Sequence, residues 1–266
     1  MMQKIKPYWS AFRIRALLEF QYRGAALGGI NTQGFFGLIL IFLYQALYAG
    51  SEPRQLMETI TYVWLQQMFF FALLTGEGEI IQQIMSGSVA YSLVRPVDQQ
   101  LYWCCRDLAM KIVGVGMRLT PMLLLQFILP EDCRMLPPGS PLAFVQFFVS
   151  MLMGFLCLTE ISSISQACVM ITLDNRGLSS ILNLLKAVLS GNVIPLTLFP
   201  ASVQQLIRYQ PFAQALDAPI RMYLNEQTAG EFALNFGVQL LWFFALMLMA
   251  RLLWRSNLKR LVVQGG

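Results

Sequence analysis

Histidine is missing altogether from this 266-residue chain, and charged side chains make up only 12% of it. Without an imidazole there is no HExxH metal motif, no Ser–His pair and no His-dependent acyl transfer. No G-x-x-x-x-G-K-[ST] run occurs either, so the phosphate-cradling loop of an ATPase is absent. The stretch Leu189-Ser190-Gly191-Asn192 resembles a fragment of an ATPase signature, but it sits in an apolar run and reads as a chance match. Cysteine is sparse: Cys104 and Cys105 are adjacent, and Cys133, Cys157 and Cys168 are scattered. None has the spacing of metal ligands or of a disulfide framework. These gaps remove the usual hydrolase and transferase chemistries, and no catalytic, cofactor-binding or metal-ligating residue is assigned.

What the chain has in abundance is apolar sequence, with 56% hydrophobic residues and a mean hydropathy of +0.57. Soluble domains carry about 25% charged residues. Six apolar runs, near 27–49, 57–75, 108–129, 142–166, 178–199 and 232–253, are each long enough to cross a hydrocarbon core of roughly 30 Å. The pattern predicts an all-α membrane protein with six transmembrane helices, forming one transmembrane domain over residues 1–266. The first long run begins only near Leu27 and lacks a cleavage site after it, so no cleavable signal peptide is expected.

The net charge of +5 comes from Lys and Arg that flank these runs, which reads as a topology signal and not as a nucleic-acid surface. One side collects Lys4, Lys6, Arg13, Arg15, Arg23, Arg95, Arg106, Arg176, Arg251, Arg255, Lys259 and Arg260; the other holds only Arg54, Arg134, Arg208 and Arg221. The positive-inside rule puts both termini in the cytoplasm of a multi-pass cell-membrane protein. Residues 8–23 mix Trp9, Phe12, Leu17 and Phe20 with Arg13, Arg15 and Arg23, as expected of a basic helix lying in the inner interface.

Two connections exceed what a turn needs. In the cytoplasmic one, Gly76 to Asp107, Ile80, Ile81, Ile84 and Met85 share a helical face opposite Gln82 and Gln83, and Gly87 and Pro96 mark breaks. Such a face either packs under its own bundle or seats in a partner's groove. In the outer connection, Phe199 to Glu231, Ser202 and Gln205 have the form of a capping box, and Pro211 and Pro219 cut the rest into pieces too short to span. Short helices on, or dipping into, the outer leaflet are expected there.

Four cations and anions fall inside the expected spans: Lys111, Arg118, Glu160 and Lys186. Intramembrane charge is costly and marks function or pairing. Lys111, one turn into the third span, can snorkel to the headgroups. Glu160 and Lys186 come to similar depth, which suits a structural ion pair, or else the lining of a substrate path. No ladder of carboxylates accompanies Glu160, so a proton relay is disfavoured.

Two segments resemble a known family. Gly191-Asn192-Val193-Ile194-Pro195-Leu196-Thr197-Leu198-Phe199-Pro200, with Tyr209-Gln210-Pro211-Phe212 and Ala218-Pro219 beyond it, resembles the fifth span and outer re-entrant region of ABC-2 type permeases. Ile84 to Pro96 resembles the same family's cytoplasmic loop after span two. The resemblance covers essentially the whole chain and favours the branch in which two small permeases pair with a separately encoded ATPase. It implies that Ile80, Ile81, Ile84 and Met85 belong to a coupling helix seated in the ATPase, and that the N-terminal helix touches that subunit too. On this view a charge at Ile84 breaks coupling and spares membrane insertion. Pro195, Phe199, Pro200, Pro211 and Phe212 would border the outer gate, and Arg118, Glu160 and Lys186 remain the intramembrane polar candidates. The implied partners are an ATP-binding cassette subunit, a second permease (identical or related) and the bilayer, with no nucleic acid. ATP and Mg would sit on the partner ATPase and no cofactor on this chain. The implied activity is outward movement of amphipathic or hydrophobic cargo such as an antimicrobial peptide, drug or lipid. An ATP-independent carrier or channel is the alternative; internal repeats typical of carriers are not evident.

Overall fold

A computed structural model describes residues 2–50, 52–74, 78–224 and 227–259. Thr75 and Gly76, where the second expected span meets the first long connection, lie outside the described residues, as do Asn225, Glu226 and Arg260. The described chain is helical, without strands: α1 Met2–Gln21, α2 Arg23–Leu47, α3 Pro53–Leu74, α4 Gly78–Met85, α5 Val89–Leu93, α6 Gln99–Leu125, α7 Pro141–Thr172, α8 Arg176–Leu189, α9 Ala201–Ile207, α10 Pro211–Ala215, α11 Asp217–Leu224 and α12 Ala229–Leu258.

Four helices among the described residues are long and apolar enough to cross a membrane: Leu27–Leu47 within α2, then α6, α7 and α12. Two of the six expected spans differ from that standard for separate reasons. The second, α3, has the length, but Glu58, Gln66 and Gln67 dilute its apolar run. It is instead the inner helix, with Ile60, Val63, Trp64 and Met68 all fully buried. The fifth ends early. α8 stops at Leu189 after 14 residues, about 21 Å of rise, short of the roughly 30 Å core. Gly191 then turns the chain with φ +82°, a conformation that favours glycine.

Helix α7 is the hub. It shares its longest seam with α12 and also packs on α6, α10 and α11. Since lipid tails are as apolar as leucine, such a seam in a bilayer is held by close packing and polar contacts. Along it Gln239 donates to Ser150 O (3.1 Å), Ser150 Oγ (2.8 Å) and Gln214 O (2.7 Å). Trp254 Nε1 donates to Ser163 O at 3.0 Å and Asn257 Nδ2 to Ala167 O at 2.8 Å. Helix α1 runs beside the first half of α6: Asp98 N donates to Tyr8 Oη at 3.0 Å, and Arg15 Nη2 reaches Met110 Sδ at 2.8 Å.

The end of the bundle opposite α1 is closed by α9 to α11. Tyr62 Oη donates to Asp217 Oδ1 at 3.0 Å, and Arg221 Nε to Asp217 Oδ2 at 2.6 Å. The Ser202–Gln205 capping box does not form. Pro200 occupies the N-cap position of α9, Ser202 lies inside the helix, and Gln204 Nε2 folds back onto Thr197 O (3.0 Å) and Phe199 O (2.7 Å). The capping box in this region is Thr228 with Glu231, opening α12.

Backbones touch where α7 meets α10: a Cβ on Gly154 would lie 2.4 Å from Ala215 O. Gly154→Ala should therefore push α10 off the hub and destabilise the protein by about 1–3 kcal/mol, seen as a lower Tm in detergent. Gly116→Ala, where nothing lies within 4 Å, should melt at or above the wild-type temperature.

Candidate functional site

Three regions gather the residues singled out in the sequence. The first is α4 with α5. Ile80, Ile81 and Ile84 are buried, packed with Val89, Trp103, Ala167, Met170 and Trp254. Met85, by contrast, is exposed. Of the two fates open to this apolar face, the structure selects packing under its own bundle. The start of α4 is clasped as well: Glu79 takes Arg106 Nη2 at 2.7 and 2.5 Å, and Arg15 Nη1 lies 3.6 Å away. Gly87, at φ +74°, ends the helix as its sequence position predicts. The surface left open on α4, α5 and the residues just after them includes Gln82, Met85, Tyr91, Leu93, Val94 and Arg95, with Tyr91 and Val94 each 83% exposed. Because Ile84 is enclosed, a charge there would break the seat of α4 itself, so it cannot separate coupling from folding as expected from sequence.

The second region is the set of intramembrane charges, which the structure distributes among separate environments. Arg118 donates from Nη1 to Gly114 O at 2.8 Å, and its guanidinium lies 3.7 Å from the Phe71 ring centroid. Gly114 makes room for that ring, since a Cβ would sit 2.0 Å from Phe71 Cε1. Lys111 does not snorkel. It is fully buried, and its Nζ lies 2.5 Å from Asp107 Oδ2 one turn earlier; enclosure by neighbouring helices closes the route to the headgroups and leaves pairing as the alternative. Lys186 is the buried residue of α8, whose Ile181, Leu184, Leu185 and Val188 face outward.

Glu160, on the hub helix, faces α6. Gln100 Nε2 lies 3.5 Å from Oε2 and Cys104 Sγ 3.9 Å from Oε1. Both of these contacts are to neutral groups. Beside Glu160 opens a cavity of about 290 Å³ between α6, α7 and α12. Leu101, Met247 and Leu248 give it apolar walls, and Asp98 and Arg251 a polar edge. Arg251 Nη2 is salt-bridged to Asp98 Oδ2, and its Nη1 donates to Gln100 Oε1 at 3.3 Å. Asp98 also caps α6, accepting from Leu101 N at 3.0 Å. Burial pushes the Asp98 carboxyl up, but the bonds from Arg251 and Leu101 outweigh it and hold the carboxyl below its ordinary range.

The third region holds the outer-gate candidates. Pro195 is buried at the turn after α8, Phe199 and Pro200 lead into α9, and Pro211 and Phe212 open α10. They line one end of the bundle, tied down by Gln210, whose Nε2 donates to Leu189 O at 2.5 Å.

A family model described as ABC-2 family transporter protein matches residues 29–265. The chain belongs to the ABC-2 transporter family. No curated protein matches it significantly. ABC-2 members are membrane transport components, so this permease is a membrane protein of ABC-type transport. The family usually works with an ATPase subunit, and that makes α4 and α5 the first surface to test. The Asp98–Arg251–Gln100–Glu160 chain escaped the sequence reading because Arg251 reads as a topology charge. A usable signal was present: Asp98 follows Pro96 and opens an apolar-periodic run, the position of an N-cap.

Asp98→Asn keeps a capping side chain and removes the ion pair, whereas Asp98→Ala removes both. Thermal melting of the ABC-2 permease in detergent should rank wild type above Asn and Asn above Ala, the last step about 1 kcal/mol. A carboxyl held low in the folded state stabilises above its unfolded value and loses that contribution as pH falls through the folded one. The wild-type advantage over Asn is thus expected in full at pH 7 and should fade below about pH 4.

Proposed function

We propose that this chain is the membrane-spanning subunit of an ATP-binding cassette exporter, moving amphipathic or hydrophobic cargo outward and driven by ATP hydrolysis on a separate subunit. In this reading the chain crosses the inner or plasma membrane six times, α3 and α8 included, with both termini cytoplasmic. It pairs with a second permease, identical or related. ATP and Mg are held by the ATPase. Family membership supplies the class, and the observation that carries the coupling role is the mounting of α4. Its apolar face is locked to α6, α7 and α12 through Trp103, Met170 and Trp254, and its first turn is clasped by Arg106 and Arg15. A push on the outer surface of α4 and α5 is therefore passed to the transmembrane helices without slack. The contact with the ATPase is assigned to Met85, Tyr91 and Val94, with Ile80, Ile81 and Ile84 as the rigid backing.

Mechanistically, closure of two ATPase subunits moves two such α4–α5 units, tilts α7 and α12 with them, and opens the end bordered by Pro195, Phe199, Pro200, Pro211 and Phe212. The exposed apolar faces of α8 and α2, including Leu184, Val188, Phe35 and Ile39, are available to lipid or to the second permease. Amphipathic cargo suits a bundle whose open faces are Phe, Leu and Met.

Purification of the tagged chain from its native cells in mild detergent, with mass spectrometry of its companions, tests the reading. A stoichiometric ATPase is expected. The double variant Tyr91→Asp, Val94→Asp should cut its recovery at least tenfold with melting unchanged, because both side chains are exposed. Ile84→Asp should instead destabilise the permease itself by roughly 3 kcal/mol or more. A chain that transports alone would overturn the coupling assignment and favour an ATP-independent carrier.

A further inference from the structure

The cavity beside Glu160 has a composition that selects a ligand. Its lining holds two carboxylates, Glu160 and Asp98, against one cation, Arg251. That cation is already engaged by Asp98 and by Gln100. Glu160 is 7% exposed, and its contacts are a 3.5 Å amide bond and a 3.9 Å thiol. A carboxylate accepts about four hydrogen bonds, so capacity for a strong donor remains. A buried carboxylate without a paired cation is costly, and an incoming positive group removes that penalty.

Depth and shape agree with a ligand that is half apolar. Glu160 lies nineteen residues beyond Pro141, about 28 Å along α7, and Met247 lies eighteen beyond Ala229, about 27 Å along α12. Both are near the far edge of a hydrocarbon core of roughly 30 Å counted from the other end of the bundle. Asp98 and Arg251 lie at the polar side of the cavity. Leu248 lines it, and one and two turns deeper Phe244 and Leu241 continue the same stripe of α12, 54% and 64% exposed. A head group at Glu160 thus has an apolar track for its chain, open sideways to the bilayer.

We infer that the α6–α7–α12 cleft is a lateral binding site for ammonium-bearing amphiphiles, with Glu160 holding the head group and Met247, Leu248 and Phe244 receiving the tail. The donor is either the ammonium of a bilayer aminophospholipid or that of a free lipophilic amine; the recognition chemistry is the same. Gln100 is a positioning residue: it donates to Glu160 and takes a bond from Arg251, keeping that guanidinium off the carboxylate. The inference deepens the export reading by naming a cargo class and an entry point from the inner leaflet, and it rests on that reading only for its purpose.

The test uses the purified chain in phosphatidylcholine nanodiscs with a dodecylamine bearing a diazirine in its tail, and maps the photolabelled residues by mass spectrometry. Labelling is expected on α12 around Met247 and Leu248 and to be competed by unlabelled dodecylamine, but not by dodecanol or dodecyl sulfate. Glu160→Gln should reduce it at least tenfold, and Glu160→Asp should retain most of it. Met247→Trp, which fills the cleft and leaves the carboxylate in place, should reduce it similarly, so the inference stays testable if Glu160→Gln folds poorly by melting. Displacement of the probe in phosphatidylethanolamine discs supports the site with a lipid as its occupant; persistence there supports it with a free amine. Equal labelling by a neutral diazirine dodecanol, or labelling indifferent to both Glu160→Gln and Met247→Trp, overturns it. Labelling needs no ATPase. Its loss therefore sinks the cleft and leaves the permease, whereas absence of an ATPase partner sinks the coupling and leaves the cleft.

Discussion

The polar seam between α7 and α12 is the interaction on which the rest of the molecule depends. Gln239, Leu246, Ala250, Trp254 and Asn257 form one buried stripe of α12. Three of them donate to carbonyls of other helices: Gln239 to Ser150 and Gln214, Trp254 to Ser163, Asn257 to Ala167. In hydrocarbon such bonds cannot be exchanged for bonds to water, so they select one register of two long helices that leucine packing alone would leave free to slide. Everything described above hangs from that register. It sets the height of Trp254 beneath α4, the height of Arg251 opposite Asp98, and the height of Met247 beside Glu160.

The same seam ties the short helices α4 and α5 to the rest of the bundle. α4 and α5 present a mixed surface outward, with Gln82, Met85 and Tyr91, and three isoleucines inward, against Trp103, Met170 and Trp254. Glu79, at the positive end of the α4 dipole, is held by Arg106 and Arg15. The element is thus held by packing on one side and by ion pairs at its start. α4 packs on α7, and α7 also packs on α3, α6 and α12 and on α10 and α11 at the opposite end.

Three of the intramembrane charges are accommodated in three different ways. Lys111 is neutralised one turn away by Asp107. Arg118 is held by a backbone carbonyl and an aromatic face. Glu160, among the described residues, takes weak neutral donors from Gln100 and Cys104 and borders an open cavity. The first two arrangements are closed and structural; the third is open, and that difference in completion, not burial itself, singles Glu160 out.

Hydropathy and charge placement determined by themselves that this is a helical membrane protein with a basic end, because the bilayer permits few backbone conformations and every loop charge reports its side. Gly87 was legible as a break, and Ile80, Ile81 and Ile84 as one face, since both depend on local backbone geometry. What the Ile face packs against was not legible: its neighbours Trp103, Met170 and Trp254 come from three distant helices. Nor was the early end of α8, where the apolar run continues to Phe199 but Gly191 turns the backbone at φ +82°. From sequence, Lys111 read as a snorkelling cation and Glu160 as an ion-pair candidate for Lys186. Only tertiary packing decided that one is enclosed with Asp107 while the other faces a cleft, because the sign and distance of a partner depend on helix rotation and register, which periodicity leaves undetermined.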